Sequence, residues 1–210
     1  MFTRQLTKKE REFIYNVEEF IRDKHHACEG HDYSHVLQVL NYALDIAHNI
    51  EDEVDPFILT CGALFHDIGR TQNDERALHG ITGGNITDTF LKSTWVNEDD
   101  NHRIVRIVVR HTVTSHIPPE TTEEKIVYDA DGLDRLGIIG MVRGLMSKKG
   151  SIKEVLENRS KKRINDYKKL YFNYSRQLGE SMYRETVDLV YIFLSSLEER
   201  MKEINDIDLP

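Results

Sequence analysis

Cysteine, proline and long apolar runs are scarce in this sequence, and each scarcity excludes a class of protein. Two cysteines in 210 residues, Cys28 and Cys61, provide neither a disulfide framework nor the spacing of a zinc finger, so we expect reduced thiols. Four prolines and twelve glycines exclude collagen-like and low-complexity chains. The apolar stretch at 57–65 contains Thr, Cys and Gly and is far shorter than the roughly 20 residues of a membrane-spanning helix.

Positive charge is also in short supply. Lys and Arg number 28 against 36 Asp and Glu, which leaves a net charge of -8. A broad nucleic-acid-binding face needs clustered basic residues, so we expect no nucleic-acid partner. A small basic pocket for one phosphorylated ligand is compatible with this balance. The charged start MFTRQLTKKEREF has no apolar core of a secretory signal, and we expect a cytoplasmic protein with no membrane segment.

The apolar residues that are present follow a helical period almost throughout. Hydrophobic residues make up 39% of the chain, enough for one folded domain, which we place at 1–210. Thr7 and Glu10 form a capping-box pattern, and Asp55 followed by Pro56 is typical of a helix start. The predicted class is an all-α bundle of seven to nine helices. The clearest helices are predicted at 7–23, 34–50, from 55 to near Gly69, 77–93, 98–111, 122–136 and 178–204.

Three segments leave alternatives open. The β-branched residues at 104–108 suit a strand as well as a helix, and the flanking elements favour the helix. Gly80 and Gly83 weaken the helix at 77–93 unless they allow close helix packing. The basic run at 158–169 is either a solvated helix face or a positive rim over an anionic substrate. The amphipathic tail packs either on its own domain or on a second copy, and we favour its own domain.

Histidine and aspartate are concentrated in the central part of the chain. A divalent metal ion takes imidazole nitrogen and carboxylate oxygen as ligands, and this stretch supplies both. A single histidine in a helix is more often a surface or hydrogen-bonded residue, so the group matters more than any member. The histidines are His31, His35, His66, His79, His111 and His116, and the nearby carboxylates are Asp67, Asp129, Asp131 and Asp134.

The adjacent pair His66 and Asp67 is the most informative part of this group. Neighbouring side chains inside a helix point about 100° apart and do not share a face. At a helix end, where the backbone leaves helical geometry, both side chains can converge on one ion. A third ligand then has to come from another helix, for which His35 is suitably placed, and Asp131 from a later helix is a candidate fourth.

Three strings carry a resemblance to a known family. These are HDYSHVLQV at 31–39, ALFHDIGR at 63–70 and YDADGLDRLG at 128–137. In this order they resemble the HD-domain metal-dependent phosphohydrolases over roughly 20–200, and they are most similar to the small standalone bacterial nucleotide pyrophosphohydrolases of that superfamily. The resemblance implies an HD-type helical bundle that releases pyrophosphate from nucleoside triphosphates. It also implies metal ligands at His35, His66, Asp67 and Asp131.

The resemblance implies roles for further residues. His79 and His111, with Asp67, are the catalytic candidates; the two histidines either hold a second metal ion or contact phosphate, and a single-ion site is favoured. By its fork geometry Arg70 is a candidate for binding substrate phosphate, with a salt bridge at a helix end as the alternative, and Lys169 and Arg184 are weaker candidates for the phosphate. For the ion, the mixed donor set favours Mn²⁺, Fe²⁺, Co²⁺, Ni²⁺ or Zn²⁺ over Mg²⁺, with Mn²⁺ first. Asp134 is expected to orient a ligand histidine or to cap a helix.

Departures from related subgroups leave the substrate open. The HD 5′-deoxynucleotidases carry a Glu where Arg70 and Thr71 stand, and the acidic pair of the alarmone hydrolases has no counterpart nearer than Asp74 and Glu75. Cleavage of a phosphomonoester or phosphodiester in another small molecule is the alternative reaction. Two other classes are a non-catalytic module that binds metal and nucleotide, and a structural helical protein.

Overall fold

The computed structural model describes residues 1–25, 30–72, 78–146 and 149–205, and their fold is all-α, as predicted. Cys28 and the Asp74–Glu75 pair lie outside the described residues. Two short 3-10 helices, Ile68–Thr71 and Val113–Ser115, join the α-helices. The α-helices in the described ranges are α1 (Lys8–His25), α2 (Tyr33–Asn49), α3 (Pro56–Phe65), α4 (His79–Lys92), α5 (Glu98–Arg110), α6 (Thr122–Asp134), α7 (Gly137–Met146), α8 (Ile152–Lys168) and α9 (Asn173–Asn205).

Helix α3 is the centre of the domain. Its ten residues are all buried, and α1, α2, α5 and α6 pack around it. The predicted start is confirmed, because the Asp55 carboxylate accepts hydrogen bonds from the backbone N–H groups of Phe57 at 2.8 Å and Ile58 at 3.3 Å. Because α3 is buried on all sides, the residues that follow its last turn also lie in the interior. The His66–Asp67 pair follows immediately.

The predicted end of this helix near Gly69 is wrong. Helix α3 ends at Phe65, and Asp67 has left helical geometry with φ -103° and ψ 11°. Gly69 serves close packing rather than helix capping, because a Cβ there would lie 2.0 Å from the carbonyl oxygen of His79 and 2.6 Å from the backbone nitrogen of Gly83. The 3-10 turn at Ile68–Thr71 therefore lies directly against α4.

Helices α4 and α5 confirm two predictions. The segment at 98–111 is helical, and its β-branched residues Ile104, Ile107 and Val108 are buried on one face. A Cβ at Gly80 would lie 3.0 Å from the carbonyl oxygen of Val109, so α4 and α5 pack too closely there for a side chain. The glycines that weaken the helix prediction are thus what allows the two helices to meet.

The C-terminal helices differ most from the predictions. Helix α9 begins at Asn173 rather than 178, and it packs against α7 and α8 of its own chain, as we favoured. Helices α7 and α8 were not among the clear predictions, because three of the ten residues of α7 are glycines and α8 is mostly polar. No helix in the described ranges is long and apolar enough to cross a membrane.

Candidate metal centre

The structure brings the four predicted ligands together. His35 lies in the first turn of α2, His66 and Asp67 follow α3, and Asp131 is on α6. The Nε2 atom of His35 lies 3.2 Å from Nε2 of His66 and 3.4 Å from Oδ2 of Asp67. It also lies 3.6 Å from Oδ1 of Asp131. All four residues are buried, so their donor atoms face one another away from bulk water.

A second group of donors shares the Asp67 carboxylate. His79, at the start of α4, and His111, at the end of α5, each place Nε2 3.4 Å from Oδ1 of Asp67. Their Nε2 atoms are 3.2 Å apart, and both residues are buried. Asp67 therefore offers one oxygen to the predicted ligands and the other oxygen to the two ambiguous histidines. The loss of helical geometry after His66 allows adjacent residues to meet in this way, as expected for a helix end.

Hydrogen bonds at the opposite ring nitrogens orient three of these imidazoles. Nδ1 of His35 donates to Oδ2 of Asp134 at 2.6 Å, which confirms the prediction for Asp134. Nδ1 of His66 donates to the Ala63 carbonyl, and Nδ1 of His111 to the Val108 carbonyl, each at 2.7 Å. With its proton on Nδ1, a neutral ring presents the lone pair of Nε2 to the cluster.

These donors fit a bound cation. In each group two Nε2 atoms lie 3.2 Å apart, a distance at which a proton or a metal ion has to lie between the two nitrogens. Burial lowers the pKa of His66 to about 3, so its ring is neutral and able to ligate at pH 7. Burial also disfavours charge on His35, but Asp134 and Asp67 outweigh it and raise the pKa of His35 to about 9.

Both carboxylates of the cluster are ionised and paired with an arginine. Burial opposes ionisation of Asp67, but Arg70 and His31 hold its pKa well below the ordinary value. Nε of Arg70 donates to Oδ1 of Asp67 at 2.8 Å. Burial likewise opposes ionisation of Asp131, whose pKa is nonetheless held low, chiefly by Arg135, which directly follows α6. Anionic oxygen and neutral imidazole together are the donor set that first-row divalent ions take.

Sequence reasoning missed three residues that contact this centre. His31 was counted among the clustered histidines without a role, yet its Nδ1 lies 2.6 Å from Oδ2 of Asp67. Arg135, four residues after Asp131, pairs with the Asp131 carboxylate, and an (i, i+4) search from each predicted ligand would have found it. Arg143 on α7 lies 3.5 Å from Oδ2 of Asp134 and 3.2 Å from Oδ1 of Asp32, a contact across more than 100 residues that no local pattern indicates.

The remaining candidates are placed differently. Arg70 lies at the centre, since its Nη2 is also 3.2 Å from Nε2 of His79. Lys169 is exposed where α8 ends, and Arg184 pairs with Glu180 on the exposed side of α9. His116 ends the short 3-10 helix at Val113–Ser115 in a left-handed conformation with φ 58°. The structure thus joins Arg70 to the predicted ligands and places Lys169 and Arg184 on the surface.

Comparison with known proteins identifies the family. The HD domain family matches residues 32–136, which span all the donor residues from His35 to Asp131 and both ambiguous histidines. The chain belongs to the HD domain family. The resemblance seen in the three sequence strings is therefore confirmed, and the all-α bundle is the HD-type fold.

Individual HD relatives differ in length and in the level of similarity. The tRNA (cytidine(56)-2'-O)-methyltransferase of Picrophilus torridus is 41% identical over 128 residues, which are 54% of this chain and 34% of that protein. The chain thus spans about a third of that relative's length. The Bacillus subtilis YpgQ structure, in complex with ADP, has a TM-score of 0.63 at 20% identity and covers 93% of this chain and 100% of that one.

A further solved structure has the same overall fold. An HD-superfamily hydrolase from Bacillus thuringiensis has a TM-score of 0.65 at 23% identity, covering 94% of this chain and 100% of its own. At these identities the likeness establishes the fold of nearly the whole described chain. It therefore includes the C-terminal helices that lie beyond the family match.

Proposed function

We propose that this HD domain is a metal-dependent phosphohydrolase that acts on nucleotides, with release of pyrophosphate from nucleoside triphosphates as the leading reaction. The observation that carries the proposal is the convergence of His35, His66, Asp67 and Asp131 in a buried cluster of oriented imidazoles and ionised carboxylates. A structural helical protein has no need for several buried histidines and carboxylates whose donor atoms face one another. The ADP bound to the related YpgQ supports a nucleotide ligand.

We assign the ion to His35, His66, Asp67 and Asp131, with Mn²⁺ as the first candidate among first-row divalent ions. A divalent ion in this position supplies Lewis-acid polarisation of a phosphoryl oxygen and of water. Asp134 holds the His35 ring in orientation through its Nδ1–H, and Arg70 holds the Asp67 carboxylate. These two contacts keep the ligand atoms in place. The atoms of Asp134 and Arg70 that make them do not contact the substrate.

His79 and His111 are the candidates for proton transfer. Their Nε2 atoms lie 3.4 Å from Asp67 and are buried at the edge of the same cluster. His111 donates its Nδ1 proton to the Val108 carbonyl, so its Nε2 is able to accept a proton from attacking water. Nη2 of Arg70 lies 3.2 Å from Nε2 of His79, and a planar guanidinium is suited to phosphate oxygens.

The number of ions is a separate question that the two donor groups raise. Asp67, His79 and His111 form a second set of three donors whose atoms all lie within 4.8 Å of one another. We keep one ion as the expectation, with the two histidines acting on the substrate. Metal analysis distinguishes the cases: a ratio near one ion per chain supports this assignment, and a ratio near two places the second ion on His79 and His111.

The proposed reaction is tested with a panel of nucleoside mono-, di- and triphosphates in the presence of Mn²⁺. Protein purified without chelator is used, and the products are resolved as phosphate or pyrophosphate. Pyrophosphate released from triphosphates is the expected result. Orthophosphate as the product instead indicates phosphomonoester cleavage, and metal binding without any turnover indicates a binding module.

A further inference from the structure

Three arginines of the C-terminal half lie together beside Asp131. Arg135 follows α6, and Arg159 and Arg163 are on α8; we call these three residues the arginine cluster. Nε of Arg135 and Nη1 of Arg163 lie 3.3 Å and 2.8 Å from the same oxygen, Oδ2 of Asp166. Arg135 also pairs through Nη1 with Oδ2 of Asp131. The cluster is therefore separated from the metal centre by one carboxylate.

Helix α7 is shaped to make room for the cluster. A Cβ at Gly144 would lie 3.0 Å from Nη2 of Arg163 and 3.2 Å from Cδ of Arg159. The missing side chain lets both arginines lie against the same turn of α7. The two arginines therefore face inward, whereas the lysines of the same basic run, at 161, 162, 168 and 169, are exposed. The lysines form the solvated face that the sequence suggested, whereas Arg159 and Arg163 turn away from it.

Positive charge exceeds negative charge at this place. Arg135 and Arg163 share the Asp166 carboxylate, and Arg159 lies with Arg163 against Gly144, while the other neighbouring carboxylate, Asp131, belongs to the proposed metal ligands. The Arg163 side chain is only 6% exposed, and its Nε is buried with no hydrogen-bond partner among the described residues. Burial lowers the pKa of Arg163 to about 10, and repulsion from Arg135 and Arg159 adds to this effect against the attraction of Asp166. Buried positive charge in excess is costly unless an anion compensates it.

Two of the three arginines are partly exposed. The Arg135 side chain is 24% exposed and Arg159 is half-buried, whereas Arg163 is buried. On the metal side, Oδ1 of Asp131 lies 3.6 Å from Nε2 of His35. Asp131 therefore contacts the donor cluster through Oδ1 and Arg135 through Oδ2. Guanidinium groups bind phosphate oxygens in a bidentate geometry.

We propose that the arginine cluster is a second phosphate subsite, which binds a phosphate group linked to the one at the metal centre and so selects substrates with two or more linked phosphates. The proposal rests on the proposed function and deepens it. Arg159 is the residue to test, because among the described residues it contacts no metal ligand and forms no ion pair with a carboxylate. Lys92, exposed on α4 and paired with Asp88 at 2.7 Å, is the matched control for the loss of one positive charge.

The experiment measures binding of imidodiphosphate, a pyrophosphate analogue with a bridging N–H, by calorimetry on the full chain with Mn²⁺. The wild-type chain is expected to bind imidodiphosphate more tightly than orthophosphate. Arg159→Ala is expected to weaken imidodiphosphate binding at least tenfold, whereas Lys92→Ala changes it by less than twofold. A loss below tenfold in Arg159→Ala, an equal loss in the control, or no preference for imidodiphosphate in the wild type overturns the proposal.

Failure of the subsite and failure of the proposed function give different results. If the wild type hydrolyses no nucleotide but Arg159→Ala still loses imidodiphosphate affinity, the subsite stands and the hydrolase proposal fails. If the wild type hydrolyses nucleotides and the KM of Arg159→Ala for triphosphates is unchanged, the subsite fails and the hydrolase proposal stands. Circular dichroism and thermal melting of both variants verify that the fold is intact.

Discussion

The helices from α2 to α6 and the helices from α7 to α9 contribute opposite kinds of chemistry. The first region supplies buried imidazoles and ionised carboxylates, with the His35 ring oriented by Asp134. The second region supplies arginines that outnumber the carboxylates near them. The donor atoms for a metal ion and the arginines that would bind an anion thus meet at Asp131. This combination is what hydrolysis of a phosphate ester beside a metal ion requires.

The strongest way to break this comparison is to remove the carboxylate shared by both donor groups. Asp67→Ala is expected to lower metal-dependent turnover by at least about a thousandfold, because the ion loses an anionic ligand. The free energy of unfolding is expected to fall by about 3 kcal/mol, since His31 and Arg70 lose their partner. Steady-state kinetics and chemical denaturation measure the two effects. Asp99→Ala, at an exposed position on α5, is the control, and full activity in Asp67→Ala would show the ligand assignment to be wrong.

A smaller effect is expected from a substitution that keeps all four ligands and weakens only the hydrogen bond that orients His35. Asp134→Asn weakens the hydrogen bond that positions the His35 ring, so metal affinity is expected to fall by about 10- to 100-fold. Titration of the metal-free variant with Mn²⁺ measures this change. Asp88→Asn is the control, since Asp88 lies near the C-terminal end of α4, opposite the end that carries His79. An affinity within twofold of the wild type would mean that Asp134 is not needed for orientation.

The residues predicted from sequence are those fixed by local pattern. The Asp55–Pro56 start and the mostly apolar stretch at 57–65 both indicate α3, and the His66–Asp67 pair at its end marks the cluster. Gly69 was misinterpreted because its role depends on a contact with α4, and this contact forms only when the chain folds. Arg143 was missed for the same reason, and Arg163 was predicted only as part of the basic run at 158–169. Their partners are brought together by tertiary packing of glycine-rich α7 and polar α8, neither of which has a clear apolar stripe.

The close backbone packing between the 3-10 turn at Ile68–Thr71 and α4 can be tested by adding a side chain at Gly69. Gly69→Ala is expected to lower the free energy of unfolding by about 2 kcal/mol, because the added Cβ would meet the His79 carbonyl at 2.0 Å and force the backbone apart. Since α4 carries His79, turnover is expected to fall together with stability. Thermal melting and kinetics on the same sample measure both, and unchanged stability would contradict the close contact.

An ion pair outside both regions gives the smallest expected effect. Arg4 donates to Glu10 at 2.8 and 2.9 Å and holds the pKa of Glu10 at about 2, against the opposing effect of burial. Glu10→Gln is expected to cost about 1 kcal/mol near neutral pH, a value reduced by the partial exposure of Arg4.

The sign of its pH dependence follows from the lowered pKa. The stabilisation by Glu10 is fully present above its unfolded pKa of 4.5 and is lost as the pH falls toward 2. The difference in stability between wild type and Glu10→Gln is therefore expected to shrink over this range, and denaturation at several pH values measures it. Metal affinity should not change, and a loss of metal binding in Glu10→Gln would contradict the separation of this ion pair from the centre.

The central claim is that His35, His66, Asp67 and Asp131 share one cation. Anomalous diffraction at the manganese edge, from crystals grown with Mn²⁺, tests it most directly. We predict a strong peak within coordination distance of all four side chains. A peak elsewhere, or none while the four side chains keep their positions, would contradict the account.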